Sequence, residues 1–504
     1  MSQRLSPYTP ISEIKKMREG SRVAINLFAK IAEAGIPRMT KGIGTDYYIG
    51  FKLADGSCQF GVSITIFAPT VADLPRIHSV GDIICLHNVE VKVYKGESGE
   101  SIFCSFNKRK SSYAFFDKEG STGVIPYKIS ASFRATNYVS KYLDQLRSLS
   151  LEHYQPDANR QQDAIVSLLL LKELEEGKVC DILCQVVHVC RIPSGDGLIL
   201  YVWDGTDTAP VTFKSNLNIE ESTPTPMQPE SSPLSSEILS SFPRIGTVLR
   251  VIAPNDFEHI FDVPGREQWI KFCNVTCELR SEIMIGVMNA DSKVFILSDE
   301  YQNVKHRERI YNERKASDLG QIPLTCSLQT SHVTVTDYET VPYSTLMESI
   351  YSEELLSSKC VVRVVASLPW RGEHLHSVNR SVRARLTLED PTARLHAYIY
   401  EEDWVQFIGP DTGADDITRK MMKLLGIRNP PTGEKEMALR NPPWVKCCLR
   451  KFHRDENDKV GTMRFQIFGT RLIGDAVNDQ AQGEGGAQVE VTEGVTADRP
   501  IIID

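Results

Sequence analysis

Three stretches of this sequence repeat one shape, and no other feature restricts the fold as tightly. Each is an apolar, strand-like run that ends on aspartate followed by glycine or proline. The first is Tyr47-Tyr48-Ile49-Gly50-Phe51-Lys52-Leu53-Ala54-Asp55-Gly56 and the second Leu198-Ile199-Leu200-Tyr201-Val202-Trp203-Asp204-Gly205-Thr206. The third is Val382-Arg383-Ala384-Arg385-Leu386-Thr387-Leu388-Glu389-Asp390-Pro391-Thr392. Asp-Gly between strands predicts a hairpin, because both turn positions favour positive φ. The Asp-Pro copy needs a different turn, since proline holds φ negative. A β-branched run precedes each copy, at 22–32, 179–192 and 360–368. Further strands follow each, over 81–94, then 246–251 with 269–272, then 444–452 with 464–472. About five strands per unit, with one wide gap after the third, predicts a small Greek-key barrel of the OB type. An immunoglobulin-like sandwich needs about seven evenly spaced strands, which these units do not supply.

A chain of 504 residues is too long for one hydrophobic core, so three such units fit its length. The expected class is all-β: three tandem OB barrels with short helices and disordered connections. The boundaries read as a first barrel over 1–150 and a second over 151–300 with a disordered Ser/Pro-rich insertion at 214–243. A linker or exposed helix follows at 301–324, then a third barrel over 325–474 and a disordered acidic tail over 475–504. Ile165, Leu168, Leu169 and Leu174 stand at helical spacing and predict a helix entering the second barrel. The longest apolar run, 165–171, holds a serine and is far short of the roughly 18 residues a membrane span needs. No secretory signal is legible at the N-terminus, so the 12 cysteines read as reduced thiols of an intracellular chain.

The net charge of −8 is unevenly spread. Residues 1–150 hold 20 Lys and Arg against 13 Asp and Glu, a balance of +7 that leaves −15 for the remainder. The tail from Asp475 carries seven acids and one base. This asymmetry predicts a basic working domain in an otherwise acidic protein.

Strand parity then picks out side chains within that domain. Along 60–67, Phe60, Val62, Ile64 and Ile66 share one face, while Gly61, Ser63, Thr65 and Phe67 share the other. Along 89–94, the valines at 89, 91 and 93 oppose Glu90, Lys92 and Tyr94, with Lys95 next. Aromatics on solvent faces of a basic barrel form a stacking platform for unpaired bases, worth roughly 1–3 kcal/mol per base. The alternative is rim packing beneath loops. Arg38, Lys41 and the run Lys108-Arg109-Lys110 offer charge to phosphates.

These residues resemble the Protection of Telomeres protein 1 family. The resemblance rests on Gly44-Thr45-Asp46-Tyr47, Ile64-Thr65-Ile66-Phe67, Gly81-Asp82-Ile83 and Val91-Lys92-Val93-Tyr94-Lys95, with Val202-Trp203-Asp204-Gly205-Thr206 in the second unit. The third unit, with Asn441-Pro442-Pro443-Trp444-Val445-Lys446-Cys447-Cys448, is similar to the C-terminal domain of the plant branch. The resemblance implies binding of single-stranded, G-rich telomeric DNA, protection of chromosome ends and control of telomerase in the nucleus. It implies that Thr45 and Asp46 read base edges, that Phe67 and Tyr94 stack on bases, and that Lys95 contacts the strand beside Tyr94. With Lys41 and Lys92, these form the expected site. The aromatics that serve DNA in two-barrel relatives are missing near Val179 and in Glu33-Ala34-Gly35-Ile36-Pro37-Arg38, which weighs against the second barrel. About 40 residues separate Asp403 from Trp444, too few for the zinc-binding insert of animal relatives. Telomerase RNA or telomerase is the rival partner, and the third barrel is expected to meet a telomere protein. In it His396, Tyr398 and Tyr400 alternate with Leu395, Ala397 and Ile399 as an outward aromatic row or one buried under a loop.

No metal or cofactor is expected. Cys180, Cys184 and Cys190 share one parity, as do Cys273 and Cys277, which reads as core-facing thiols rather than zinc ligands. An enzyme is not expected either. Glu389, Asp390, Glu401, Glu402 and Asp403 are the acids from which a metal-dependent nuclease would be built, but they fall where a turn and a loop begin, in solvent. No P-loop, Gly-x-Ser-x-Gly or His-Glu-x-x-His accompanies them.

Overall fold

The structure is a computed structural model that describes residues 7–18, 22–40, 45–96, 99–121, 123–154, 168–212, 233–262, 268–318, 333–377, 382–410, 412–428, 440–454 and 462–473. Its strands close into three five-stranded rings. The first uses β1 (Val23–Gly35), β2 (Tyr47–Ala54), β3 (Val62–Ala68), β4 (Ile83–Gly96) and β5 (Gly99–Ser105). β1 pairs antiparallel with β2 and β4, β2 with β3, and β4 with β5, while β3 and β5 run parallel and close the ring. The second ring repeats the scheme with β6 (Val179–Arg191), β7 (Leu198–Trp203), β8 (Leu249–Ala253), β9 (Trp269–Arg280) and β10 (Ile283–Val287). After β11 (Lys293–Leu297), the third uses β12 (Ser357–Leu368), β13 (Val382–Glu389), β14 (Arg394–Tyr400), β15 (Trp444–His453) and β16 (Met463–Phe468). One parallel closure in an otherwise antiparallel ring is the OB arrangement.

The repeated aspartate holds each barrel together in the same way. Asp55 Oδ2 accepts the N–H of Ile11 at 2.8 Å, Asp204 Oδ2 that of Leu171 at 2.9 Å, and Asp390 Oδ2 that of Leu346 at 2.7 Å. The hydroxyl two residues later accepts the next N–H: Ser12 to Ser57, Lys172 to Thr206, Met347 to Thr392. These donors open the helical turns Ile11–Ile14, Leu171–Glu173 and Leu346–Tyr351, whose first N–H groups have no partner within the turn. The apolar side chains of the turns, such as Ile11 and Ile14, Leu171, and Leu346 with Ile350, join the cores of their own barrels. Only the glycines of the Asp-Gly pairs take positive φ, +77° at Gly56 and +89° at Gly205, so the aspartates act through their side chains. That side-chain role explains why Asp-Pro serves in the third copy.

Several expectations are corrected. The second barrel's long insertion separates its second and third strands, not the third and fourth. Its end, 233–243, is folded, with Leu239 and Phe242 buried; residues 214–232 lie outside the described residues, as does the tail from 475. The leucines expected to form a helix before β6 instead make a short strand, Leu168–Leu169, parallel to β6, followed by a 3-10 turn. Residues 155–167 of that stretch are outside the described residues. The segment read as linker or exposed helix is a helix, Gln302–Asp318, and it docks. Val304 and Arg307 are buried, and the Tyr311 ring lies 5.0 Å from Trp203, because these positions share a face. Cys180, Cys184 and Cys277 enter the second core, but Cys190 does not, since a bulge between Val186 and His188 breaks the parity of β6.

The barrels are joined rather than strung. β11 pairs with both β1 and β9, making one continuous sheet through the first two rings. Glu33 of β1, 1% exposed, receives Lys271 at 3.0 Å and Lys52 at 3.4 Å. Between the second and third barrels, arginines donate to backbone carbonyls in both directions. Arg363 reaches Thr208 at 2.8 Å, Arg250 reaches Thr392 at 3.0 Å, and Arg440 reaches Thr212.

Candidate nucleic-acid interface

The outward face of the first barrel can be read row by row from strand register. Tyr48 on β2 stands opposite Phe67 on β3, ring centroids 6.0 Å apart, both half-buried. The next row is Gly50, Thr65 of β3, Ser105 of β5 and Glu90 of β4. The following row is Lys52, Ser63, Phe103 and Lys92. The small Gly50, Thr65 and Ser105 of the middle row, with Glu90 at its end, thus lie between aromatics: Tyr48 and Phe67 on one side, Phe103 on the other. That is a trough with stacking walls. The burial of β3 alternates as parity requires, with Val62, Ile64 and Ile66 in the core and Ser63, Thr65 and Phe67 half-exposed. Parity fails just before the strand: Gly61 is buried against Tyr154, and Phe60 is half-buried rather than in the core.

At the open end of the trough, Thr45 is exposed and Asp46 pairs with Lys108 at 2.7 Å. Their side chains are 43% and 39% exposed, so the pair is solvated and exchangeable. The backbone carbonyl of Asp46 accepts the N–H of Thr40 at 2.8 Å. Lys41 lies outside the described residues. Tyr94 and Lys95 pair through their backbones with Ser101 and Glu100, and their side chains also lie outside the described residues. Lys92 is half-exposed on the expected face.

Arg38 is a correction. It is 7% exposed, donates to Asp256 at 2.5 Å and to Ser292 O at 2.8 Å, and lies over the Phe257 ring. It locks the first barrel to the second and offers nothing to phosphates. Lys52 is likewise turned away, to Glu33 and the Phe295 ring. Tyr48 and Phe103 were not among the expected residues. Phe103 was missed because β5 begins Gly-Glu-Ser and does not read as a strand, although Ile102 and Cys104 flank it with core parity.

The acids expected in solvent are placed differently by the fold. Glu389 is buried between Arg363 and Arg394. Burial would raise its pKa, but the two guanidiniums outweigh it and hold the carboxyl down at about 2. Asp390 is buried in its turn, and Glu401, Glu402 and Asp403 begin a helix, Glu401–Ile408, where acids favour the positive end of the dipole. In the third barrel, His396 and Tyr398 are 5% and 3% exposed, so these two of the aromatic row are covered, while Tyr400 is half-exposed. Cys180 and Cys277 face each other at 3.7 Å between sulfurs, and among the described residues no three His, Cys, Asp or Glu side chains gather as a metal site.

Family models match all three units. Residues 2–160 match "Telomeric single stranded DNA binding POT1/CDC13", 170–243 match "ssDNA-binding domain of telomere protection protein", and 329–458 match "POT1A-like, OB fold domain". Protection of telomeres protein 1a of Arabidopsis thaliana is 30% identical over 463 residues, covering 89% of this chain and 95% of its own. The chain belongs to the Protection of Telomeres protein 1 family. It falls with the plant branch: protein 1b of the same plant is 28% identical over 88% of this chain and 94% of its own, whereas the human relative aligns over only 40% of this chain and 28% of its own. A crystal structure of fission yeast Pot1 with single-stranded DNA covers 62% of this chain and 96% of its own at 16% identity, with a TM-score of 0.24, too loose a superposition to transfer geometry.

Proposed function

We propose that this protein binds single-stranded, G-rich telomeric DNA through the trough of its first barrel, and that by doing so at chromosome ends in the nucleus it protects them and governs access of telomerase. The observation that carries this is the row order Tyr48–Phe67, Gly50–Thr65–Ser105, Ser63–Phe103–Lys92 on the barrel whose segment, residues 1–150, holds a charge balance of +7. Small side chains let bases approach the sheet, and flanking aromatics give them faces to stack on. Asp46 repels phosphates, and its place in such a site is as an acceptor for the N1–H and N2–H2 donors of an unpaired guanine. Lys92 and Lys95 supply positive charge, with Tyr94 between them in sequence as a further stacking ring, and Lys41 and Thr45 complete the proposed contacts. The third barrel is assigned to a telomere-protein partner.

The test is a competition at fixed salt between a labelled telomeric G-rich strand and three unlabelled rivals: the same strand, its RNA counterpart and a scrambled DNA. The reading requires the DNA to win over the scramble and the RNA. An RNA that competed better would move the assignment to telomerase RNA, because a preference of that kind needs a 2′-OH contact.

A further inference from the structure

The same strand face can be compared across the barrels by counting back from the turn aspartate. Five and three residues before Asp55 stand Gly50 and Lys52; before Asp204 stand Ile199 and Tyr201; before Asp390 stand Arg385 and Thr387. In the first barrel Gly50 is half-exposed and opens the trough, while Lys52 is 9% exposed and turned to Glu33. In the second, Ile199 is 8% exposed and Tyr201 is fully buried. In the third, both residues are 1% exposed.

What covers the second barrel is its own chain. The first barrel passes from β2 to β3 in a short turn, but the second leaves β7 at Trp203 and reaches β8 only at Leu249. The returning part of that connection, 234–242, crosses back over the outer face of β7. Phe242 packs on Tyr201 with centroids 5.3 Å apart, and Ile238 and Val248 join the same cluster with Ile199. The other side of this strap is anchored elsewhere. Leu239 is buried in the core of the third barrel, Leu234 packs against it, and the Leu234 N–H meets Met347 Sδ at 3.4 Å. Arg250, opposite Tyr201 across β7 and β8, is turned to the carbonyl of Thr392. Beneath the strap therefore lies the Tyr201 ring, flanked by the Arg250 guanidinium 5.7 Å away and by the half-exposed His188 ring 5.8 Å away. These are the residue types a single strand stacks on and pairs its phosphates with.

We propose that strap 234–242 seals this face, so that the chain reads single strands with its first barrel alone and keeps a latent nucleic-acid surface centred on Tyr201, with Arg250 and His188 at its margin, closed in the second. This rests on the single-strand reading of the first barrel. It also gives the family's second, DNA-binding type of domain a different condition here: present as a fold, closed as a platform.

The experiment uses the full chain and a telomeric G-rich strand carrying 5-iododeoxyuridine at its thymine positions, with photo-cross-links mapped by mass spectrometry. Wild type should cross-link at first-barrel aromatics such as Tyr48, Phe67 or Phe103 and not at Tyr201 or His188. Phe242→Ala combined with Ile238→Ser should add cross-links at Tyr201 or His188 and raise affinity for longer strands about fivefold or more, as one added stacking contact does. Ile238→Ala is the milder variant should the pair fail to fold, and partial cross-linking at the same residues is expected from it. Cross-links at Tyr201 or His188 in wild type would overturn the seal. So would their absence in a strap variant that still melts cooperatively. A wild-type chain that cross-links nowhere on the first barrel would instead sink the single-strand reading, a separate failure.

Discussion

Replacing Asp46 by alanine separates reading of bases from holding of the loop. Among the described residues the carboxylate pairs with Lys108 at 2.7 Å, and both side chains are about two-fifths exposed. A solvated pair of this kind contributes about 0–1 kcal/mol, so Asp46→Ala should barely move the melting temperature. Its effect on recognition should be larger. A carboxylate that accepts two hydrogen bonds from one guanine discriminates by about 1–3 kcal/mol, or roughly 5- to 150-fold. Fluorescence anisotropy with a telomeric strand and a set of single guanine-to-adenine strands gives the ratio of matched to mismatched affinity for each variant. Asp46→Ala should collapse that ratio at one guanine and leave the others. Lys108→Ala is the control: it breaks the same ion pair but keeps the carboxylate, so the ratio at that guanine should survive. If both variants lose it equally, the pair orders the loop and Asp46 does not read a base. If Asp46→Ala keeps the ratio at every guanine, the base-edge role is refuted outright.

Phe67→Ala and Phe103→Ala should each weaken strand binding by about 1–3 kcal/mol while costing less stability than Ile64→Ala, a fully buried position where about 2–5 kcal/mol is expected; a Phe67 variant that unfolds the barrel would mark it as core. Lys92→Ala should weaken matched and scrambled strands alike and lower the slope of log affinity against log salt by about one, and a selective loss would contradict a phosphate role. Glu389→Gln leaves Arg363 and Arg394 buried without their shared carboxylate and should destabilise the chain by about 3–5 kcal/mol in urea unfolding, so a change below about 1 kcal/mol would be incompatible with the buried pair. His396 is held neutral by burial and by the charges of Arg385, Arg394 and Arg464, with its pKa lowered to about 3. The unfolded chain takes up a proton that the folded chain refuses, so stability falls as pH drops from about 6.5 toward 3, by about 2 kcal/mol at pH 5. His396→Asn should flatten thermal melts between pH 7 and pH 5, and an unchanged slope would show that another group titrates.

Alternation along single strands was legible without the structure because it is local: side chains two apart share a face whatever the strand pairs with. That is why Val62, Ile64 and Ile66 could be assigned to a core and Phe67 to the opposite face. The repeat of Asp-Gly and Asp-Pro was legible for a related reason, since each copy must turn the chain at one place. Parity gave out where backbone irregularity enters, as at the bulge in β6 that turns Cys190 away from the core occupied by Cys180 and Cys184.

The sequence by itself therefore determined three barrels, their order and the basic character of the first, because these depend on residue types and spacings within each unit. What each exposed-looking side chain meets was decided by tertiary structure. Arg38 has the composition of a phosphate contact and became a bolt to Asp256, because the second barrel brings an acid 218 residues away to within 2.5 Å. Glu389 has the composition of a solvated turn acid and became a buried partner of two arginines. Tyr201 lies on a strand equivalent to the open β2 of the first barrel, yet is closed by a segment that begins more than thirty residues later. Contacts between distant parts of the chain have no periodic signature in sequence. They follow from which surfaces the packed barrels bring together, and that placement leaves the trough between Tyr48 and Phe103 open while the corresponding face of the second barrel is shut.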